Sequence, residues 1–125
     1  MIISQGIDIV EINRIKQSYD RYKNRFLNKI FTKDEIKYCF KKRNPYESLA
    51  GRFAAKEACV KVLSIAGDII YSYKQIEIIR AKNGFVTYKL TKQAETIFKK
   101  LKADRIHLSI THEKHYSIAS CILEK

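Results

Sequence analysis

Arg52-Phe53-Ala54-Ala55-Lys56-Glu57-Ala58-Cys59-Val60-Lys61-Val62-Leu63 reads as a helix that is apolar on almost every side. Projected at ~100° per residue, Leu49, Phe53, Val60 and Leu63 fall on one side, and Ala50, Ala54, Ala58 and Val62 cover much of the other. A helix with so little polar face belongs in the interior, with other elements packed around it. Pro45, the only proline in the chain, suits the first turn of this helix, and the pattern extends to about Ser64. Arg52 and Lys56 form an i,i+4 pair of cations, while Glu57 and Lys61 align acid before base. As an exposed salt bridge, Glu57 and Lys61 would contribute only ~0.3 kcal/mol. The apolar flanks on both sides argue for a further use of this acid.

A second misplaced acid lies towards the N-terminus. Residues 2 to 10 read as a strand, and Asp8 interrupts the apolar run Ile7-Asp8-Ile9-Val10. An unpaired buried carboxylate costs several kcal/mol, so something must compensate it. Two embedded carboxylates, Asp8 and Glu57, fit a hard-metal site, because such ions take oxygen ligands. Between them, Glu11 to Leu27 carries Ile12, Ile15, Tyr19, Tyr22 and Phe26 at helical spacing. Arg14, Arg21 and Arg25, at offsets of seven and eleven, share nearly one angular position as a cationic stripe, either a solvated face or a ridge for an acidic partner. Thr32 and Glu35 form a capping-box pair, which predicts a short helix from Lys33 to about Lys42, stopped at Asn44-Pro45.

Beyond Gly67 the pattern changes to strands: Gln75 to Arg80, a turn at Asn83-Gly84, then Phe85 to Leu90. Thr91 is placed to cap a helix through about Lys102, with Ala94, Ile97, Phe98 and Leu101 as its apolar stripe. Ile106, Leu108 and Ile110 then alternate with His107, Ser109 and Thr111, and the strand Tyr116 to Leu123 returns after a turn.

With 125 residues and 46% hydrophobic content, the chain suits one domain, residues 1–125, and not two. No apolar run is long enough to span a bilayer, and Met1-Ile2-Ile3-Ser4 lacks the start of a signal peptide, so a cytoplasmic protein is expected. Cys39, Cys59 and Cys121 lie far apart and read as reduced filler. His107, His112 and His115 lack zinc-site spacing, although His112 remains able to contact a phosphate or assist proton transfer. A net charge of +12 draws the protein towards polyanions: nucleic acid, a phosphorylated cofactor or a strongly acidic protein. The rival class is therefore a non-catalytic basic nucleic-acid-binding module. Neither a stacking-aromatic sheet signature nor a helix-turn-helix pattern supports it, and it has no use for Asp8 in an apolar strand.

Gly6-Ile7-Asp8-Ile9-Val10-Glu11-Ile12 with Arg14, Phe31-Thr32 with Glu35, and Gly51 to Ala58 with Lys61 together resemble the holo-acyl-carrier-protein synthases. These are the short bacterial type of 4′-phosphopantetheinyl transferase. Leu108-Ser109-Ile110-Thr111-His112, followed by Tyr116 and Ala119, is similar to the family's C-terminal Ser-x-Ser-His strand, with Thr111 in place of the second serine. The resemblance spans nearly the whole chain. It implies an α+β fold, an antiparallel sheet with packed helices, assembled as a homotrimer with active sites between subunits. It also implies transfer of phosphopantetheine from coenzyme A to a serine of apo-acyl carrier protein, in support of fatty acid biosynthesis, with adenosine 3′,5′-bisphosphate released.

In that scheme Asp8 and Glu57 hold magnesium, with manganese as an alternative ion, and Asp8, Glu57 and Lys61 form the catalytic group. Arg43, Arg52, Lys56, Lys61, Ser109 and His112 contact coenzyme A, and Arg14, Arg21 and Arg25 meet the acidic carrier. The acceptor of the serine proton stays open among Glu57, Asp8, His112 and a water held by the ion. Two departures bear on the cofactor pocket. Leu63-Ser64-Ile65-Ala66-Gly67 offers one glycine where the family has a glycine-rich loop, and Gly84-Phe85-Val86 lacks the family's common Lys-Pro pair.

Overall fold

The computed structural model describes residues 1–125. Strand β1 (Ile2–Glu11) leads into helices α1 (Ile12–Tyr22), α2 (Asn24–Ile30), α3 (Lys33–Phe40) and α4 (Pro45–Leu63). A hairpin of β2 (Ile76–Arg80) and β3 (Val86–Leu90) follows, then α5 (Lys92–Lys100), β4 (Arg105–His112) and β5 (Tyr116–Glu124). The class is α+β with antiparallel sheets, as the resemblance implied.

The main sheet has the order β1-β5-β4, so β1 and β4 are its two edges. Period-two alternation sends Gly6, Asp8 and Val10 of β1, and Ser117, Ala119, Cys121 and Leu123 of β5, to the face covered by α4. The opposite face carries Ile7 and Ile9, which are 61% and 59% exposed. Eleven of the nineteen residues of α4 are buried, which explains its lack of a polar face. Its alanines, Ala50, Ala54, Ala55 and Ala58, are fully buried. Small side chains there let helix and sheet approach closely.

Gly6 serves the same end. A Cβ at this position would overlap the carbonyl oxygen of Ala58 and stand 3.1 Å from Lys61 Cβ. Only glycine lets β1 run against α4 here, and that contact sets Asp8 beside the helix segment bearing Glu57 and Lys61. Asn44 caps α4 by accepting from the amides of Tyr46 and Glu47, with Pro45 in the first turn. No helix is long and apolar enough to cross a membrane.

Three local expectations require correction. The helix predicted from Glu11 to Leu27 is two helices, broken at Lys23, whose φ is 49°. The Lys23 amide donates to the Tyr19 carbonyl at 2.7 Å and closes α1, while its own carbonyl accepts from Phe26 and opens α2. The break turns the apolar residues Leu27 and Ile30 into the core, at the cost of a non-glycine residue at positive φ, ~1–3 kcal/mol. The second correction concerns Thr91, whose side chain makes no capping bond. Instead Gln75 Oε1, from across the hairpin, accepts the Ala94 amide at 3.0 Å. Finally, the hairpin turn closes at Ala81–Phe85, with Gly84 at φ 88°, so Phe85 belongs to the loop and not to β3.

Candidate active site

The carboxylates with Lys61, and the residues of the predicted coenzyme A pocket other than Lys56, lie on opposite edges of the sheet. On the β1 edge, the Lys61 ammonium donates to the Ile7 carbonyl at 2.8 Å and to Asp8 Oδ1 at 3.1 Å. Lys61 therefore pairs with Asp8 across the strand–helix contact and not with Glu57 along the helix. This supplies the compensation that an acid in an apolar strand demands. Glu57 accepts the phenolic hydrogen of Tyr73, which lies in the 3₁₀ turn Tyr73–Gln75. Partial burial, then the hydrogen bond and charge of Glu57, with Asp8 adding a smaller push, raise the Tyr73 hydroxyl to about 12. The phenol thus feels both carboxylates. Nothing in the spacing of Tyr73 marked it beforehand.

No group of three or more His, Cys, Asp or Glu side chains gathers anywhere in the chain. Two carboxylates that both act on the Tyr73 hydroxyl form a partial, all-oxygen anionic donor set. That fits magnesium, which is usually held by one or two carboxylates and completes its sphere with water and phosphate oxygens.

On the β4 side lies a groove of ≈ 870 Å³. Its floor is Leu108, Ser109, Ile110 and His112; one wall is the N-terminal half of α4, and the other is the β2–β3 hairpin with Arg80, Phe85 and Val86. Arg43 and Arg52 line it together with Lys42. The Arg52 guanidinium lies 4.1 Å from the centre of the Tyr38 ring, which Lys42 and Arg80 also approach, at 4.8 and 5.8 Å. Arg52 is only 5% exposed, and its buried Nε has no partner. A concentrated set of cations with an unsatisfied donor is an anion site in waiting. Gly51 keeps the helix side of the groove open, since a Cβ there would meet Ile110 Cγ2 at 3.1 Å. Phe85 and Val86 add apolar surface to this wall beside Arg80. His112 Nε2 sits 3.2 Å from Glu47 Oε1 across the groove, so the histidine is oriented by a carboxylate from α4.

Lys56 does not belong with these cations. Its side chain is fully buried, and its three N–H bonds go to Glu35 Oε1 at 2.8 Å, the Tyr73 carbonyl at 3.0 Å and the Ile76 carbonyl at 2.8 Å. No donor remains for a phosphate arriving from solvent, so the expectation that Lys56 contacts coenzyme A is corrected. Glu35 is equally committed. It completes the capping box with Thr32 as predicted, and its second oxygen accepts the Ile78 amide at 2.9 Å. Burial pulls the Lys56 ammonium downward, opposed by the charge and hydrogen bond of Glu35.

Arg14, Arg21 and Arg25 are exposed, and none forms a salt bridge within the chain. The break at Lys23 puts Arg25 on α2, so the single angular stripe predicted for the three does not exist. Arg21 and Arg25 still converge, because their guanidinium groups lie 5.3 and 5.7 Å from the centre of the Tyr22 ring. Stacking replaces helical phase in gathering the charge.

A sequence model described as the 4′-phosphopantetheinyl transferase superfamily matches residues 4–121. The holo-[acyl-carrier-protein] synthase of Halothermothrix orenii is 46% identical over 125 residues, covering 100% of this chain and 99% of the relative. That of Chlamydia trachomatis is 44% identical over 119 residues, covering 95% and 97%. Among solved structures, the Neisseria meningitidis synthase superposes with a TM-score of 0.88 at 28% identity, covering all of both chains. The Helicobacter pylori synthase, solved in complex with coenzyme A, gives 0.82 at 31% identity and covers 97% of this chain and 100% of that one. The chain belongs to the 4′-phosphopantetheinyl transferase superfamily and, within it, to the holo-[acyl-carrier-protein] synthases, which are enzymes. These comparisons give the nucleic-acid-binding alternative no support.

Proposed function

We propose that the protein transfers the 4′-phosphopantetheine arm of coenzyme A to a serine hydroxyl of apo-acyl carrier protein and releases adenosine 3′,5′-bisphosphate. The reaction depends on magnesium, or manganese, held at Asp8 and Glu57, and serves fatty acid biosynthesis in the cytoplasm. The observation that carries this reading is the groove with buried Arg52 and its unpartnered Nε, in a family whose Helicobacter pylori and Bacillus anthracis members were solved with coenzyme A bound.

Arg43 and Arg52 neutralise the phosphates of coenzyme A, while the β4 backbone at Ser109 and the Glu47-oriented His112 side chain offer hydrogen bonds along the floor. Asp8 and Glu57 would hold the divalent ion, which when bound supplies Lewis-acid stabilisation of phosphoryl charge. Lys61, already beside Asp8, adds a positive charge where the leaving bisphosphate develops its negative one. The serine proton passes to Asp8, Glu57 or a water between them. Arg14, Arg21 and Arg25 receive the acidic carrier. The expected result is stoichiometric release of adenosine 3′,5′-bisphosphate, read by chromatography, only when apo-carrier and a divalent ion are both present. Release without carrier, or none at all beside an active control synthase, contradicts the reading.

The working assembly is a homotrimer. Two features favour it: the apolar outer face of the sheet around Ile7 and Ile9 is uncovered, and the carboxylate pair and the groove occupy opposite sheet edges of one chain. A neighbour's groove beside each carboxylate pair completes a site. Trimers of Asp8→Asn and trimers of Arg43→Ala/His112→Ala are each expected to be nearly inactive, and mixing them through a dissociation step should restore a fraction of the wild-type rate. Additive residual rates with no restoration would place both half-sites within one chain.

A further inference from the structure

We propose that Tyr73 is a positioning residue for the carboxylate centre: its phenol holds the Glu57 carboxylate beside Asp8 and so raises the affinity of the chain for a divalent cation. The role rests on the metal-ion reading above.

Tyr73 is held at three points. Its hydroxyl donates to Glu57 Oε1, its carbonyl accepts from Lys56 at 3.0 Å, and its ring lies tilted against Phe53 with centroids 5.8 Å apart. Lys56 and Glu57 are consecutive residues of α4, so one helix turn grips both the backbone and the side chain of the same tyrosine. The grip is stiff because Lys56 is itself locked to Glu35 inside the core and to the Ile76 carbonyl that opens β2. The family resemblance assigned Lys56 to the cofactor; the geometry makes it the anchor of the segment that orients Glu57.

The consequence for the site is chemical. A free glutamate has three side-chain torsions to order when an ion binds, and that ordering weakens binding. A phenol engaging one carboxylate oxygen fixes the torsions in advance and leaves the other oxygen for the ion. A neutral donor suits this purpose, since a second lysine would compete with the cation for the carboxylate. Groups that orient metal ligands in this way typically change affinity by about 10–100-fold when removed.

Manganese binding, followed by the loss of free-ion paramagnetic resonance signal, tests this with coenzyme A present and carrier omitted, so that no turnover occurs. The full-length wild-type, Tyr73→Phe and Asp8→Asn proteins are compared, with thermal midpoints measured alongside. Tyr73→Phe keeps the ring and its contact with Phe53. It should weaken manganese binding about tenfold with a midpoint within a few degrees of wild type. Its transfer rate at low magnesium should fall and recover as magnesium is raised. Wild-type affinity in Tyr73→Phe, together with loss in Asp8→Asn, overturns the role of Tyr73 and leaves the metal site standing. Equal titrations for wild type and Asp8→Asn overturn the metal reading, and the proposal with it.

Discussion

Asp8→Asn and Glu57→Gln are each expected to reduce phosphopantetheine transfer by about 10³-fold or more, with a thermal midpoint close to that of the wild type. The expected size follows from the several kcal/mol of charge stabilisation a correctly held divalent ion supplies to a phosphoryl transfer. Both substitutions keep shape and hydrogen-bonding oxygen, so Glu57→Gln still offers an acceptor to the Tyr73 hydroxyl. The stability cost is small for a separate reason. Asp8 pairs with a Lys61 side chain that is 52% exposed, and such solvent-screened pairs contribute about 1 kcal/mol or less. Initial rates of bisphosphate release and melting curves on the same preparations separate the two effects. Near wild-type turnover in both variants would remove the carboxylate centre from the mechanism.

Lys56→Met carries the largest expected loss of stability, about 3–5 kcal/mol, because it strands the buried carboxylate of Glu35. Removing both charges together, in Lys56→Met/Glu35→Met, should recover much of that loss, since a buried pair replaced by apolar side chains is often neutral. Full recovery is not expected. Glu35 also holds the Thr32 and Ile78 amides, and Lys56 holds two carbonyls. Denaturant unfolding of the wild type, both single variants and the double variant measures the coupling. A Lys56→Met protein of wild-type stability, with only a raised KM for coenzyme A, would restore Lys56 to the cofactor and refute the buried-anchor assignment.

Asp8 and Glu57 stand out in the sequence because each breaks a strong local pattern, a carboxylate in an apolar strand and another in an all-apolar helix. Lys56 stands in that same helix and was misread, because what silences it comes from elsewhere. Glu35 lies 21 residues before it, and the Ile76 carbonyl 20 residues after. Periodicity reports which face is buried; it does not report which distant groups close over that face. The Glu47–His112 pair and the Tyr73–Glu57 bond were invisible for the same reason, and Tyr73 sits in a stretch between Gly67 and Gln75 without a period to read. The break at Lys23 escaped because the apolar spacing of Tyr19, Tyr22 and Phe26 passes through it nearly in phase, and no glycine or proline marks the turn. The capping box at Thr32, by contrast, was readable because all of its partners lie within four residues.

The most direct measurement is the intact mass of apo-acyl carrier protein after incubation with this protein, coenzyme A and magnesium, with and without a chelator. A gain of one phosphopantetheine per carrier, abolished by chelation, is the predicted result. An unchanged carrier mass, under conditions where a control synthase converts the same carrier fully, would contradict the account.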